Sequence, residues 1–207
     1  MKPDDNRSEC VRCGQCCSNS GPVLHKKDFS LLKTGVVKSG DMTTFRKGEL
    51  AYHPAEKKLV LLSQEMIKIK GQDGSWKCRF YGGKEKGCLI YAERPIECQA
   101  LECWDTKKVE RLFLKDLLLR RHIFPKGGAM EELIRSYEKT FPINKIKGLS
   151  INGQEKEKAA ELIEKDIFFR EKACEALDMD IDSLDFLFGS PVADIIKRFS
   201  PSTHSDL

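Results

Sequence analysis

No stretch of this chain is long and apolar enough to cross a bilayer. Its longest aliphatic run is Leu59-Val60-Leu61-Leu62, where a spanning helix needs about 20 residues. The opening Met1-Lys2-Pro3-Asp4-Asp5-Asn6 has neither the apolar core nor the small-residue cleavage site of a secretory leader, so the protein is expected to be cytoplasmic and clear of membranes. Also missing are GxxxxGK[ST], GxGxxG and HExxH, and the CxxxCxxC of radical S-adenosylmethionine enzymes. Their absence removes the usual signatures of phosphate-loop, dinucleotide and zinc-peptidase chemistry. No nucleophile–base constellation stands out among 32 acidic residues, so the sequence leaves open whether the protein is an enzyme. The histidines His25, His53, His122 and His204 have no HxxxH pairing and read as surface or packing residues, although His25 and His53 lie in the cysteine-bearing half. There is no internal repeat and no low-complexity tract.

Strong charge imbalance is lacking too. The net charge is +4, with 18 basic and 13 acidic residues in positions 1–103 and 18 against 19 in the rest. That is too mild for nucleic acid, which asks for basic residues gathered on one face. With 207 residues and 40% hydrophobic content, the chain is long enough to bury a substantial core.

What the chain does have is cysteine. Four of its nine fall within Cys10-Val11-Arg12-Cys13-Gly14-Gln15-Cys16-Cys17, and Cys78, Cys88, Cys98 and Cys103 follow. In a reducing compartment such clustering points to metal rather than to a disulfide framework. Two residues between cysteines let a tight turn aim both sulfurs at one centre, with backbone N–H groups facing the thiolates, and Gly14 suits that turn because it lacks a Cβ. The vicinal pair Cys16-Cys17 is less usual, since neighbours in an extended chain point apart. A CxxCxxC run is how one loop delivers three ligands to a [4Fe–4S] cluster, whereas structural zinc sites are assembled from two CxxC knuckles and only the first is present here. The spacing therefore favours an iron–sulfur cluster and leaves zinc open, since thiolate softness suits both. One four-ligand centre with spares and two centres are both compatible with eight thiolates. Four thiolates on zinc or on a [4Fe–4S]²⁺ core leave about two negative charges to offset, and Arg12, Lys77, Arg79 and Arg94 lie close to cysteines in sequence. Trp76, Phe80 and Tyr91 could shield a cluster or simply fill a small core.

Short strands are expected over 42–46, 58–62 and 66–70, with 66–81 forming a hairpin about the turn Gly71–Ser75. A short helix over 26–35 should close at Gly35. Arg94-Pro95 opens a helix that places Cys98 near its start, where the dipole favours a thiolate. Beyond residue 107 the pattern turns helical. Val109, Leu112, Phe113 and Leu117 form one apolar stripe, and Met130, Leu133, Ile134, Tyr137 and Phe141 form another. A long helix follows from about Gln154 to Leu177, and Ser190-Pro191 caps a last one. Cys174 falls on the stripe Ile163, Ile167, Cys174, Leu177 and reads as a small core residue. The fold class is α+β: a small cysteine-rich metal-binding part with short strands over 1–107, then a mostly α-helical part over 108–207 packed on it.

The order Cys10-x-x-Cys13-Gly14-x-Cys16-Cys17, Cys78, then Cys88-x-Ile90-Tyr91-x-x-Arg94-Pro95-x-x-Cys98 resembles the zinc- or iron-chelating cysteine-cluster family named for its CxxCxxCC motif. The likeness covers about residues 10–103. It implies a bacterial protein with a metal centre and leaves the reaction open. A similar cysteine arrangement occurs in the flagellin lysine N-methylase, but no residue outside the motif carries that activity over. The reading reached is a metal-cluster protein with Cys10, Cys13, Cys16, Cys17, Cys78, Cys88, Cys98 and Cys103 as ligands. Its role would be electron transfer or an oxidoreductase step, with the helical tail docking an unidentified protein partner or completing the core. A zinc-stapled interaction module without catalysis is the alternative, and a lysine N-methylase-like enzyme rests on resemblance alone.

Overall fold

Met66-Ile67-Lys68-Ile69 has the two-residue period of a strand. In the computed structural model, which describes residues 10, 12–82, 87–149 and 154–199, it pairs antiparallel with Met42–Phe45, from Met42↔Ile69 to Phe45↔Met66. In chain order the strands are β1 (Met42–Phe45), β2 (Leu50–His53), β3 (Lys58–Leu61), β4 (Met66–Ile69), β5 (Tyr81–Gly82) and β6 (Gly87–Cys88), joined as the ladders β1–β4, β2–β3 and β5–β6. The chain doubles back after β4 as the hairpin pattern predicts: Arg79 N–H donates to Lys70 O (2.9 Å) and Gly71 bridges Cys78. The strand itself, however, takes β1 as partner, because Ile67 and Ile69 are fully buried and need an apolar strand such as β1 beside them. Met1–Asn6, most of the 82–87 loop, the link at 150–153 and His204 lie outside the described residues.

The helices are α1 (Gln15–Asn19), α2 (Phe29–Lys33), α3 (Ile96–Ala100), α4 (Lys107–Glu110), α5 (Ala129–Thr140), α6 (Ile143–Ile146), α7 (Lys156–Leu177), α8 (Ile181–Phe188) and α9 (Val192–Phe199). Among the described residues, no helix is long and apolar enough to cross a membrane. The stripe from Val109 to Leu117 does not form one helix. α4 ends at Glu110, and Leu114 and Asp116 take φ of 56° and 46°. Leu117, Leu118 and Leu119 are then all buried: Leu118 lies in the main core, while Leu117 and Leu119 pack with Phe45, Leu62 and Met66 in a second cluster. Only an extended segment sends consecutive side chains to opposite sides, so two cores flanking one segment override the helical period.

The main core draws on both halves, from Leu24, Ile67 and Ile69 to Tyr137, Phe141, Leu184, Phe188 and Ile195. α8 lies on β1, where the Thr44 hydroxyl donates to Phe186 O (2.6 Å) and the Lys70 ammonium meets Asp185 (2.8 Å). α9 starts as the Ser190-Pro191 signal predicts, with Pro191 O accepting from Asp194 and Ile195 N–H. α7 turns a different face inward from the one its apolar residues suggest. Ala159, Asp166, Arg170 and Ala173 are buried, whereas Ile167 is 52% exposed. Cys174 is half-buried against the core, away from the other thiols in sequence.

Candidate metal centre

The turn at Gly14 sets the site. Gly14 has φ 77°, and a Cβ there would overlap the Tyr81 hydroxyl and ring edge. That left-handed residue launches α1, whose helical turn cancels the divergence of adjacent side chains and leaves the sulfurs of Cys16 and Cys17 3.9 Å apart. Cys17 O then accepts from Cys78 N–H (2.7 Å), and Tyr81 pairs with Cys88 in the β5–β6 ladder. Gly14→Ala is expected to cost about 1–3 kcal/mol through overpacking against Tyr81 and positive φ. Urea denaturation would measure it, and the double variant Gly14→Ala/Tyr81→Ser should recover part of the loss.

Cys16, Cys17, Cys78, Cys88 and Cys98 come from α1, the loop after β4, β6 and α3, and lie within electrostatic reach of one another. The Cys16 and Cys17 sulfurs share a hydrogen bond, and that contact lowers the Cys16 pKa to about 6. The same hydrogen bond, then burial, then the negative charge of its neighbours raise that of Cys17. Burial raises Cys78, and raises Cys98 strongly. The helix start expected to favour a Cys98 thiolate is thus outweighed by desolvation, α3 being only five residues long. Thiols kept protonated by burial, and further by one another's charge, would lose their protons to a cation placed among them. Cys10, Cys13 and Cys103 are exposed at the surface. Among the described residues, no three thiols, imidazoles or carboxylates are already closed on a point where a single ion would sit. The donor set is nonetheless all sulfur, which fits zinc or iron rather than hard cations.

Beside Cys98 a buried network fastens α3. Asp28 accepts from His25 N–H (2.8 Å) and Ile96 N–H (2.9 Å), and Glu97 accepts from Val23 N–H (2.7 Å). The His25 ring reaches Lys115 O through Nδ1 (2.8 Å) and Glu97 through Nε2 (3.3 Å). Both ring nitrogens therefore face acceptors, and His25 is engaged as a clamp rather than offered as a ligand. Burial opposes its charge, but Glu97 and the Lys115 carbonyl outweigh burial and raise its pKa above 6.5. With the folded value raised, its contribution is fully present below pH 6.5 and is lost as pH climbs through the folded value, with a slope of at most about 1.4 kcal/mol per pH unit for one proton. His25→Gln is expected to flatten that part of a stability–pH profile. The other two described histidines are packing residues: the His53 ring meets Phe113 at 4.3 Å with the planes tilted by 57°, and His122 Nδ1 accepts from Leu119 N–H.

Of the cations close in sequence, Arg12 and Arg94 both stand over the Tyr91 ring, at 3.9 and 4.1 Å. Lys77 lies over Tyr81 (5.1 Å), and Arg79 is engaged by Asp41 (2.6 Å). Lys68 is a cation that the cysteine spacing does not reveal. It stands over Trp76, its charge acts on Cys78 and Glu97, and burial lowers its pKa. The only sequence signal is the lysine alternation of Met66–Lys70, which fixes a face but not what that face meets. Trp76 is 58% exposed, so it does not seal the site, whereas Phe80 and Tyr81 pack against the core.

Comparison with known proteins gives one family. Residues 9–112, half of the chain, match the CxxCxxCC family, described as "Putative zinc- or iron-chelating domain". No curated protein and no solved structure matches. On the cysteine spacing, the α+β fold and the extent of that match, the chain belongs to the CxxCxxCC family of zinc- or iron-chelating domains.

Proposed function

We propose that the thiols hold an iron–sulfur cluster and that the protein passes single electrons to or from a protein partner. The ligands come from Cys10, Cys13, Cys16, Cys17, Cys78, Cys88, Cys98 and Cys103. The observation that carries this reading is the gathering of five thiols from four separate segments, with the neighbouring imidazole and carboxylate, His25 and Glu97, tied to each other instead. Cys10, Cys13 and Cys16 add the CxxCxxC loop that commonly delivers three thiolates to a cluster. Such a group, when bound, supplies a one-electron couple. The chain's part is to orient and shield it: α3 is fixed by Asp28 and Glu97, Lys68 offsets thiolate charge, and the Gly14–Tyr81 contact brings the first loop against β5. Because the loops are not already closed on one ion, binding is expected to draw them together, coupling metal to local order.

A second reading, a zinc-stapled interaction module, is favoured by one distance. The Cys16–Cys17 separation of 3.9 Å is close to the edge of a zinc–thiolate tetrahedron, about 3.8 Å for Zn–S bonds of about 2.3 Å. Metal analysis with an absorption spectrum on protein purified without oxygen tells the two apart. Iron with acid-labile sulfide, and a visible band that bleaches with dithionite, supports electron transfer. Stoichiometric zinc and no colour, zinc being d¹⁰, overturns it in favour of the staple.

A further inference from the structure

Away from the thiols, an open cleft of about 620 Å³ lies between the turn after β1, the segment 119–121 and α5. Both loops meet it in the same way, with a buried arginine followed by an exposed cation. Arg46 is 2% exposed and precedes exposed Lys47, and Arg120 is 4% exposed and precedes exposed Arg121. Arg120 is fully engaged by Glu65, Glu138 and Leu187 O. Arg46 is not. Its Nη1 donates to Phe141 O (2.8 Å) and its Nε stands 3.7 Å from Glu49, beyond hydrogen-bond reach. Nε and Nη2 are buried with no acceptor among the described residues. Tyr137, whose ring centre is 5.3 Å from the guanidinium, offers only its π face, and Glu49 also serves Arg198.

A buried donor without an acceptor is costly and demands a partner. The cleft walls carry five basic side chains against three carboxylates, and two of those carboxylates, Glu65 and Glu138, are committed to Arg120. Lys47 and Arg121 form no ion pair among the described residues. The cations left over, Arg46 with Lys47 and Arg121, approach from two separate segments, so the acceptor they suit has oxygens pointing in several directions, as a tetrahedral phosphate does and a planar carboxylate does not. We propose that this cleft binds a small phosphate-bearing molecule, with Lys47 and Arg121 at its mouth and the Arg46 guanidinium supplying fixed positive charge at its floor.

Inorganic pyrophosphate, titrated calorimetrically into the full chain at low ionic strength, is the probe. Binding is expected to weaken with added salt, and to weaken about tenfold or more in Lys47→Ala/Arg121→Ala. It should be unchanged in Lys33→Ala/Lys172→Ala, which removes the same charge from exposed positions outside the cleft. Absence of binding at millimolar pyrophosphate, or equal weakening in both double variants, overturns the proposal. So does an Arg46→Met protein that stays folded by circular dichroism and binds undiminished, since water alone would then satisfy the guanidinium. Metal content is read in parallel and is expected to be the same in all of them, so failure here leaves the thiol centre untouched.

Discussion

Cys13→Ser and Cys98→Ser proteins are expected to emerge from purification with metal at background and to melt well below the parent, while Cys174→Ser keeps both its metal and its melting temperature. A group that binds only the folded chain stabilises it by about 4 kcal/mol at a thousandfold excess over its dissociation constant, and about 2–4 °C per kcal/mol for a chain of this size makes that about 8–16 °C. The two ligand variants separate metal from packing. Cys98 is half-buried beside the Asp28–His25–Glu97 clamp, so its loss also disturbs packing. Cys13 is exposed and has little packing to lose, so its shift must come through the metal. Full metal content in Cys13→Ser would remove it from the ligand set, and metal loss in Cys174→Ser would sink the assignment as a whole.

Much of this centre is legible in the amino-acid sequence alone. The thiol spacing, the Ile90-Tyr91 and Arg94-Pro95 landmarks and the division into strands and helices are local properties, and local patterns survive in one sequence. Partnership across distance is not legible in that way. Lys68 meets Cys78 only because the chain folds back after β4, and His25 becomes a clamp only because Glu97, some seventy residues on, reaches it. The stripe Val109, Leu112, Phe113, Leu117 misleads for a related reason: its helical period is real in sequence, but two cores on either side of Leu117–Leu119 require extension. α9, bounded by its own cap and turn residues, is legible almost to the residue, whereas the helix expected over 26–35 shortens to Phe29–Lys33.

The inward face of α7 departs furthest from its sequence pattern, and it yields the second large effect. Asp166→Ala is expected to destabilise the protein by about 3–5 kcal/mol, the cost of stranding a buried charge whose partner is removed. Asp166 accepts from the Tyr137 hydroxyl (2.6 Å), Arg170 Nε (3.0 Å) and Val192 N–H (2.8 Å), so one carboxylate joins α5, α7 and the start of α9. Arg170 extends the network to Gly189 O (2.6 Å) and Asp185 (3.2 Å), while Tyr137 stacks on Phe188 at 4.5 Å between rings. Tyr137→Phe keeps the ring and removes one partner, and should cost about 1–3 kcal/mol. Asp166→Ala/Arg170→Met removes both charges, and should cost less than the two single changes added together, because neither leaves an unpaired ion behind. Urea midpoints for the four proteins of that cycle measure the coupling. Additive losses, or an Asp166→Ala cost below about 1 kcal/mol, would mean that aromatic packing alone seats α9. The coupled outcome would mean that the polar face of α7 is what fixes α8 and α9 over β1, and with them the strand pair from which Lys68 faces the thiols.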